Sequence, residues 1–169
     1  MPTTPAERAR WIRVHLGNDL KYLASAATTW AWSDASDGNE PPGVKALALD
    51  SALLHVRALG DFFTDDKDND LRGRYGFKQQ TSRVYNRAVR REIHKFVMHL
   101  DRRDRSRLRR PHLKDRPVIL ANEIVRLWTL AAKDFVIGSP PRVAMDEVCR
   151  SCLDEANGNA KHLGGDPVF

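Results

Sequence analysis

The chain has 169 residues, 41% hydrophobic and 30% charged, with a mean hydropathy of −0.52. That is long enough to bury a real core without disulfides or a structural metal, and the composition excludes a disordered chain. The net charge is +6 and the pI near 9.6; no window approaches the roughly 18 consecutive apolar residues of a membrane span, and "MPTTPAERARWIRV" lacks the apolar run of a signal peptide, so a cytoplasmic protein with no membrane partner is expected.

Thr4 followed by Pro5 predicts a helix start, with Ile12, Leu16, Leu20, Leu23, Ala27 and Trp30 recurring every three or four residues behind it. The prolines and glycines of "SDASDGNEPPG" end that first helix. A second is predicted from about Val44 to Phe63, with Leu47, Leu54, Ala58 and Phe62 on one face. Within it Arg57 precedes Asp61 by one turn, the weaker order for an ion pair in a helix. Asp61 is therefore expected either to turn inward, towards a histidine or an arginine of the third helix, or to form a solvated pair on the flank.

Residues 65–76 read as an acidic loop. Asp66, Asp68 and Asp70 have the spacing of a calcium loop, but Leu71 stands where the turn needs glycine and Phe77 where a bidentate glutamate belongs, so no metal is expected. A third helix is predicted over about 80–100, burying Val89, Ile93, Phe96, Val97 and Leu100. An arginine-rich connector follows, and a fourth helix uses Leu120, Ile124, Leu127, Trp128, Ala131 and Phe135 until "GSPP" stops it. A short fifth helix over 143–156 carries an isolated "CRSC", read as two ordinary reduced cysteines because no further zinc ligands accompany it. No alternation of period two is present. The expectation is an all-α chain: one antiparallel up-and-down helical bundle of four to five helices over residues 1–157, then a flexible tail over 158–169.

The charge is unevenly spread. Residues 83–116 hold 13 lysines and arginines against four carboxylates, while "DFFTDDKDND" is acidic. On the third helix Arg87, Arg91, Lys95 and His99 follow at four-residue spacing, a line of like charge that calls for an anionic partner: phosphates, or the acidic side chains of a neighbouring helix or subunit. Nearby positive charge favours a neutral His99, the form a general base needs. His99 as base, with Arg91, Lys95 and Arg57 handling a phosphate, would suit metal-independent RNA cleavage, and a twofold partner would supply the acid. The bland alternative is that His99, Arg102 and Arg103 complement the negative end of a helix dipole. The four tryptophans, at 11, 30, 32 and 128, fall on helical stripes or their ends and are assigned to the core.

"LLHVRALGDFF", followed after the acidic loop by "IHKFVMHL" and the arginine-rich connector, resembles a group of bacterial HEPN-like proteins over roughly residues 44–137. The resemblance places Arg57, Asp61, Phe62 and Phe63 on one motif and Ile93, Lys95, His99 and Leu100 on the other. It implies a helical bundle, often dimeric, in a class containing metal-independent ribonucleases, toxins and defence proteins, and others that only bind RNA or a partner. Glu92 occupies a place where the group often has arginine, and the arginine-to-histidine spacing of the active signature is met by Arg87 with His94, Arg10 with His15 and Arg107 with His112.

The resulting expectation is an RNA-interacting protein without cofactor. It acts either as an endoribonuclease, with His99, Lys95, Arg91, Arg57 and Asp61 as catalytic residues and Arg87, Arg102, Arg103, Arg105 and Arg107 gripping nucleic acid, or as an RNA binder without cleavage. The competing class is a non-enzymatic interaction protein, an antitoxin or scaffold, whose basic helix meets the acidic loop of another subunit. A homodimer is expected in the first class.

Overall fold

The structure, a computed structural model, describes residues 3–35, 41, 43–65, 69–98 and 116–169. The elements are α1 (Pro5–Trp11), a π-helical turn (Ile12–Leu16) that runs on into α2 (Gly17–Ala35), α3 (Val44–Thr64), α4 (Asn69–Tyr75), α5 (Arg87–Met98), α6 (Arg116–Ala132) and α7 (Pro140–His162). Among the described residues there is no strand, so the chain is all-α.

The first helix begins as its sequence dictates. Thr4 accepts from the Glu7 amide while the Glu7 carboxylate accepts from the Thr4 amide, a reciprocal cap that satisfies two orphan donors. Ile12, Leu16, Leu20, Leu23, Ala27 and Trp30 are all buried. Each large member contributes about 1.5–3 kcal/mol of burial free energy, which holds this helix against α3 and α7.

Helix directions follow from the pairs between them. Lys45 lies over the Trp30 ring and His55 bonds Asp19, so α2 and α3 are antiparallel. Trp128 Nε1 donates to the Met145 carbonyl and Arg142 to the Ala132 carbonyl, so α6 and α7 are antiparallel too. Arg13 pairs with Glu147 and Lys21 with Glu155, numbers that rise together, so the first helix and α7 run the same way. Two hairpins therefore lie side by side, with α2 beside α7 and α3 beside α6. α3 and α6 are therefore parallel neighbours, and α4 and α5 lie between them in the chain. Gly17 marks the close approach of α2 to α7, where a β-carbon would stand 3.2 Å from Val148 Cγ1.

Several local expectations are corrected. The acidic stretch contains α4, docked by Arg72, which is 1% exposed and donates to the Phe62 carbonyl in the last turn of α3. The third predicted helix starts at Arg87 rather than near 80, because Asn86 caps it by accepting from the Ala88 and Val89 amides. "GSPP" opens α7, with Ser139 as its cap residue and Pro140 in its first turn, and α7 runs on to His162. Val168 and Phe169 return to Asn157, whose side chain bonds both backbone amides and the Phe169 carbonyl. On α3 the buried face is Ala48, Leu49, Ala52, Leu53, Val56, Leu59, Gly60, Phe62 and Phe63; of the face expected there only Phe62 is buried, and Leu47, Leu54 and Ala58 are exposed.

Candidate nucleic-acid interface

Residues 77–86 decide where the basic helix sits. Phe77 plugs the aromatic cluster at the C-terminal end of α3, 5.3 Å from the Phe62 ring and 4.9 Å from Phe135. The Gln80 amide donates to the Phe63 carbonyl, and the Lys78 amide to Asp134. Ser82 donates a short hydrogen bond to Glu123, which is buried on α6 and also takes a bidentate pair from Arg126. Those bonds, Arg126 first and Ser82 after it, hold the Glu123 carboxyl below the usual glutamate range against its own burial.

Tyr85 then drops its ring onto Gly60. A β-carbon at Gly60 would meet that ring at 2.5 Å, so glycine near the C-terminal end of α3 is what lets the strap cross so closely. The Tyr85 hydroxyl donates to Asp61 Oδ1 at 2.7 Å, and burial together with this bond to a carboxylate pushes its pKa up. Arg90, one turn into α5, lies 2.9 Å from the same Asp61 oxygen, donates to Asp65 Oδ2 at 2.7 Å and to the Thr64 hydroxyl at 3.0 Å. Arg57 completes the group, 3.5 Å from Asp61 Oδ2. Asp61 is thus the inward-turned carboxylate that meets an arginine of the basic helix, and it anchors α5 to α3.

The anchoring sets the outward face of α5. Ile93 is 4% exposed and Val89 packs on the core, while Arg87, Arg91 and Lys95 are all exposed on the opposite face. At a rise of about 1.5 Å per residue they stand about 6 Å apart along the helix. Among the described residues none of these three side chains is ion-paired or hydrogen-bonded, whereas Glu92, on the flank, pairs with Arg116.

The structure therefore divides the expected site. Arg87, Arg91 and Lys95 come together as one exposed row; Arg57 and Asp61 belong to a separate, half-buried cluster with Tyr85 and Arg90. His99, Arg102, Arg103, Arg105 and Arg107 lie outside the described residues, as do the side chains of Phe96 and Val97 and all of Leu100. His94 is exposed on α5. Among the described residues no group of three histidine, cysteine or acidic side chains could hold a metal ion. Cys149 and Cys152 are free, and burial raises both thiols, Cys152 to about 11.

Sequence reasoning missed Tyr85, Arg90, Ser82 and Glu123 as the fasteners of the basic helix. A signal existed in Gly60, a glycine inside a strong helical pattern. It also passed over His55, whose Nδ1 lies 2.8 Å from Asp19 Oδ1 and whose ring stacks on Tyr22. His55 faces α2, away from α5, and does not join the cluster.

No family model matches the chain, and no curated protein or solved structure matches it.

Proposed function

We propose that the protein is a HEPN-like bundle that holds RNA along the outer face of α5, gripping the phosphate chain rather than cutting it. The observation that carries this reading is the row Arg87, Arg91 and Lys95, exposed and free of carboxylate partners among the described residues, on a helix whose other central arginine, Arg90, is committed inward. Side chains spaced by single helical turns meet successive charges of an extended polyanion. RNA is favoured as that polyanion by the likeness of "LLHVRALGDFF" and "IHKFVMHL" to HEPN-like helices. Grip is favoured over cleavage because Asp61 already serves Arg57, Tyr85 and Arg90, which takes it out of a catalytic set.

The test is fluorescence anisotropy with a labelled single-stranded RNA in EDTA. Three phosphate contacts predict a salt slope of about −2 and a loss of about twentyfold in affinity between 50 and 200 mM salt. Arg87→Glu/Arg91→Glu/Lys95→Glu should abolish binding while the circular dichroism is unchanged. Equal affinity in the triple variant sinks the reading, and RNA cut in EDTA replaces grip with catalysis.

A further inference from the structure

The last residues described, 164–169, turn back onto the bundle, and the way they are held has the chemistry of a peptide site. All four polar backbone atoms of Val168 and Phe169 are bonded by two asparagine side chains. Asn157 Oδ1, on α7, accepts from the Val168 and Phe169 amides, both at 3.2 Å, and Asn157 Nδ2 donates to the Phe169 carbonyl at 2.9 Å. Asn122 Nδ2, on α6, donates to the Val168 carbonyl at 3.3 Å. The Phe169 side chain packs against the core.

An asparagine side chain carries the donors and acceptor lone pairs of an amide, so it can pair with an extended main chain much as a neighbouring strand does. Such bonds are blind to side-chain identity. Selectivity then falls to the apolar seat taken by Phe169. Asn122 and Asn157 belong to different helices, and the packing of α6 on α7 is what brings both amides to one dipeptide.

Two observations mark the seated segment as an exchangeable occupant. It is joined to α7 through Gly164, at φ +77, and Gly165, and among the described residues no ion pair fastens it. Apolar surface also continues past the seat. Ile119, one turn before Asn122 on α6, is 52% exposed, and Leu163, at the end of α7, is 40% exposed. A ligand longer than this segment has more to cover there.

We infer that the seat between α6 and α7 is a binding site for an extended segment of a partner protein that carries an aliphatic–aromatic pair, held through its main chain by Asn122 and Asn157. Val168 and Phe169 occupy the site in cis and compete with that partner, because a short tether keeps their effective concentration high. No residue of the site belongs to the row on α5, so it is independent of the grip on RNA.

Fluorescence anisotropy with a labelled Gly-Asp-Pro-Val-Phe peptide and the full chain tests this. Phe169→Ala empties the apolar seat and leaves both asparagines in place, so this chain should bind the probe at least tenfold more tightly than the wild type does. Asn157→Ala/Phe169→Ala should lose that binding with unchanged helical circular dichroism, since residue 157 is half-buried on a helix that alanine suits. A probe ending in Pro-Val-Ala should bind neither chain. Failure of the first probe to bind the Phe169→Ala chain, or an affinity equal to that of the wild type, overturns the proposal. Full binding after Asn157→Ala overturns the main-chain grip, and equal binding of the alanine-ended probe overturns the aromatic requirement.

Discussion

Gly60 and Tyr85 form one unit. Placing alanine at residue 60 would normally favour a helix by about 1 kcal/mol, yet here the new methyl meets the Tyr85 ring. Gly60→Ala should therefore destabilise the fold by about 1–3 kcal/mol, read as a lower urea midpoint, because the ring is 2% exposed and cannot swing away without opening a cavity. Tyr85→Phe keeps the ring and removes only the bond to Asp61. It should cost about 1.5–3 kcal/mol, the range for a hydrogen bond to a charged group. Equal stability of both variants to wild type would mean that the strap is not held at this point. For Asp61 the unfavourable order with Arg57 left an inward carboxylate and a solvated flank pair both open, and its bond with Tyr85 joins residues 24 apart and left no periodic trace.

At the scale of elements, α5 is held by other elements more than by its own sequence. It packs on α3 through Val89, Ile93 and the Arg90 cluster, and its approach is fixed by Ser82 on Glu123. The Glu123 carboxyl is depressed in the folded state, so its contribution to stability is complete above the ordinary glutamate pKa of about 4.3 and is lost as pH falls through the lower, folded value. Chemical denaturation should show stability falling with acidity below about pH 4.5, and Glu123→Gln should flatten that fall; an identical slope in the variant would exclude Glu123 as a contributor. Helix starts marked by capping chemistry were partly legible. Thr4–Pro5 was read correctly, but Asn86 was passed over because the apolar spacing runs on upstream of it.

Across the whole molecule, stability is unequal. The hairpins α2–α3 and α6–α7 share one core, while α5 contacts chiefly α3. Hydrogen exchange should therefore open residues 87–98 before α2, α3, α6 or α7; protection of α5 equal to theirs would place it in the same cooperative unit. This arrangement suits a basic row carried on a helix at the edge of a rigid bundle.

Composition and periodicity by themselves determined the helical class, the first helix and its buried stripe, the core residues of α6 and the clustering of positive charge, because each depends on neighbours within a turn or two. Which face of α3 is covered was a tertiary decision. Leu47 and Leu54 have the hydrophobicity of core residues and the spacing of one, but α2, α5 and α6 pack on the other sides of the helix. The same holds for the division of the cationic residues into an anchored arginine, Arg90, and a solvent-facing row, Arg87, Arg91 and Lys95. Adjacent charges of one helix look alike in sequence; only the carboxylates at the C-terminal end of α3 tell them apart.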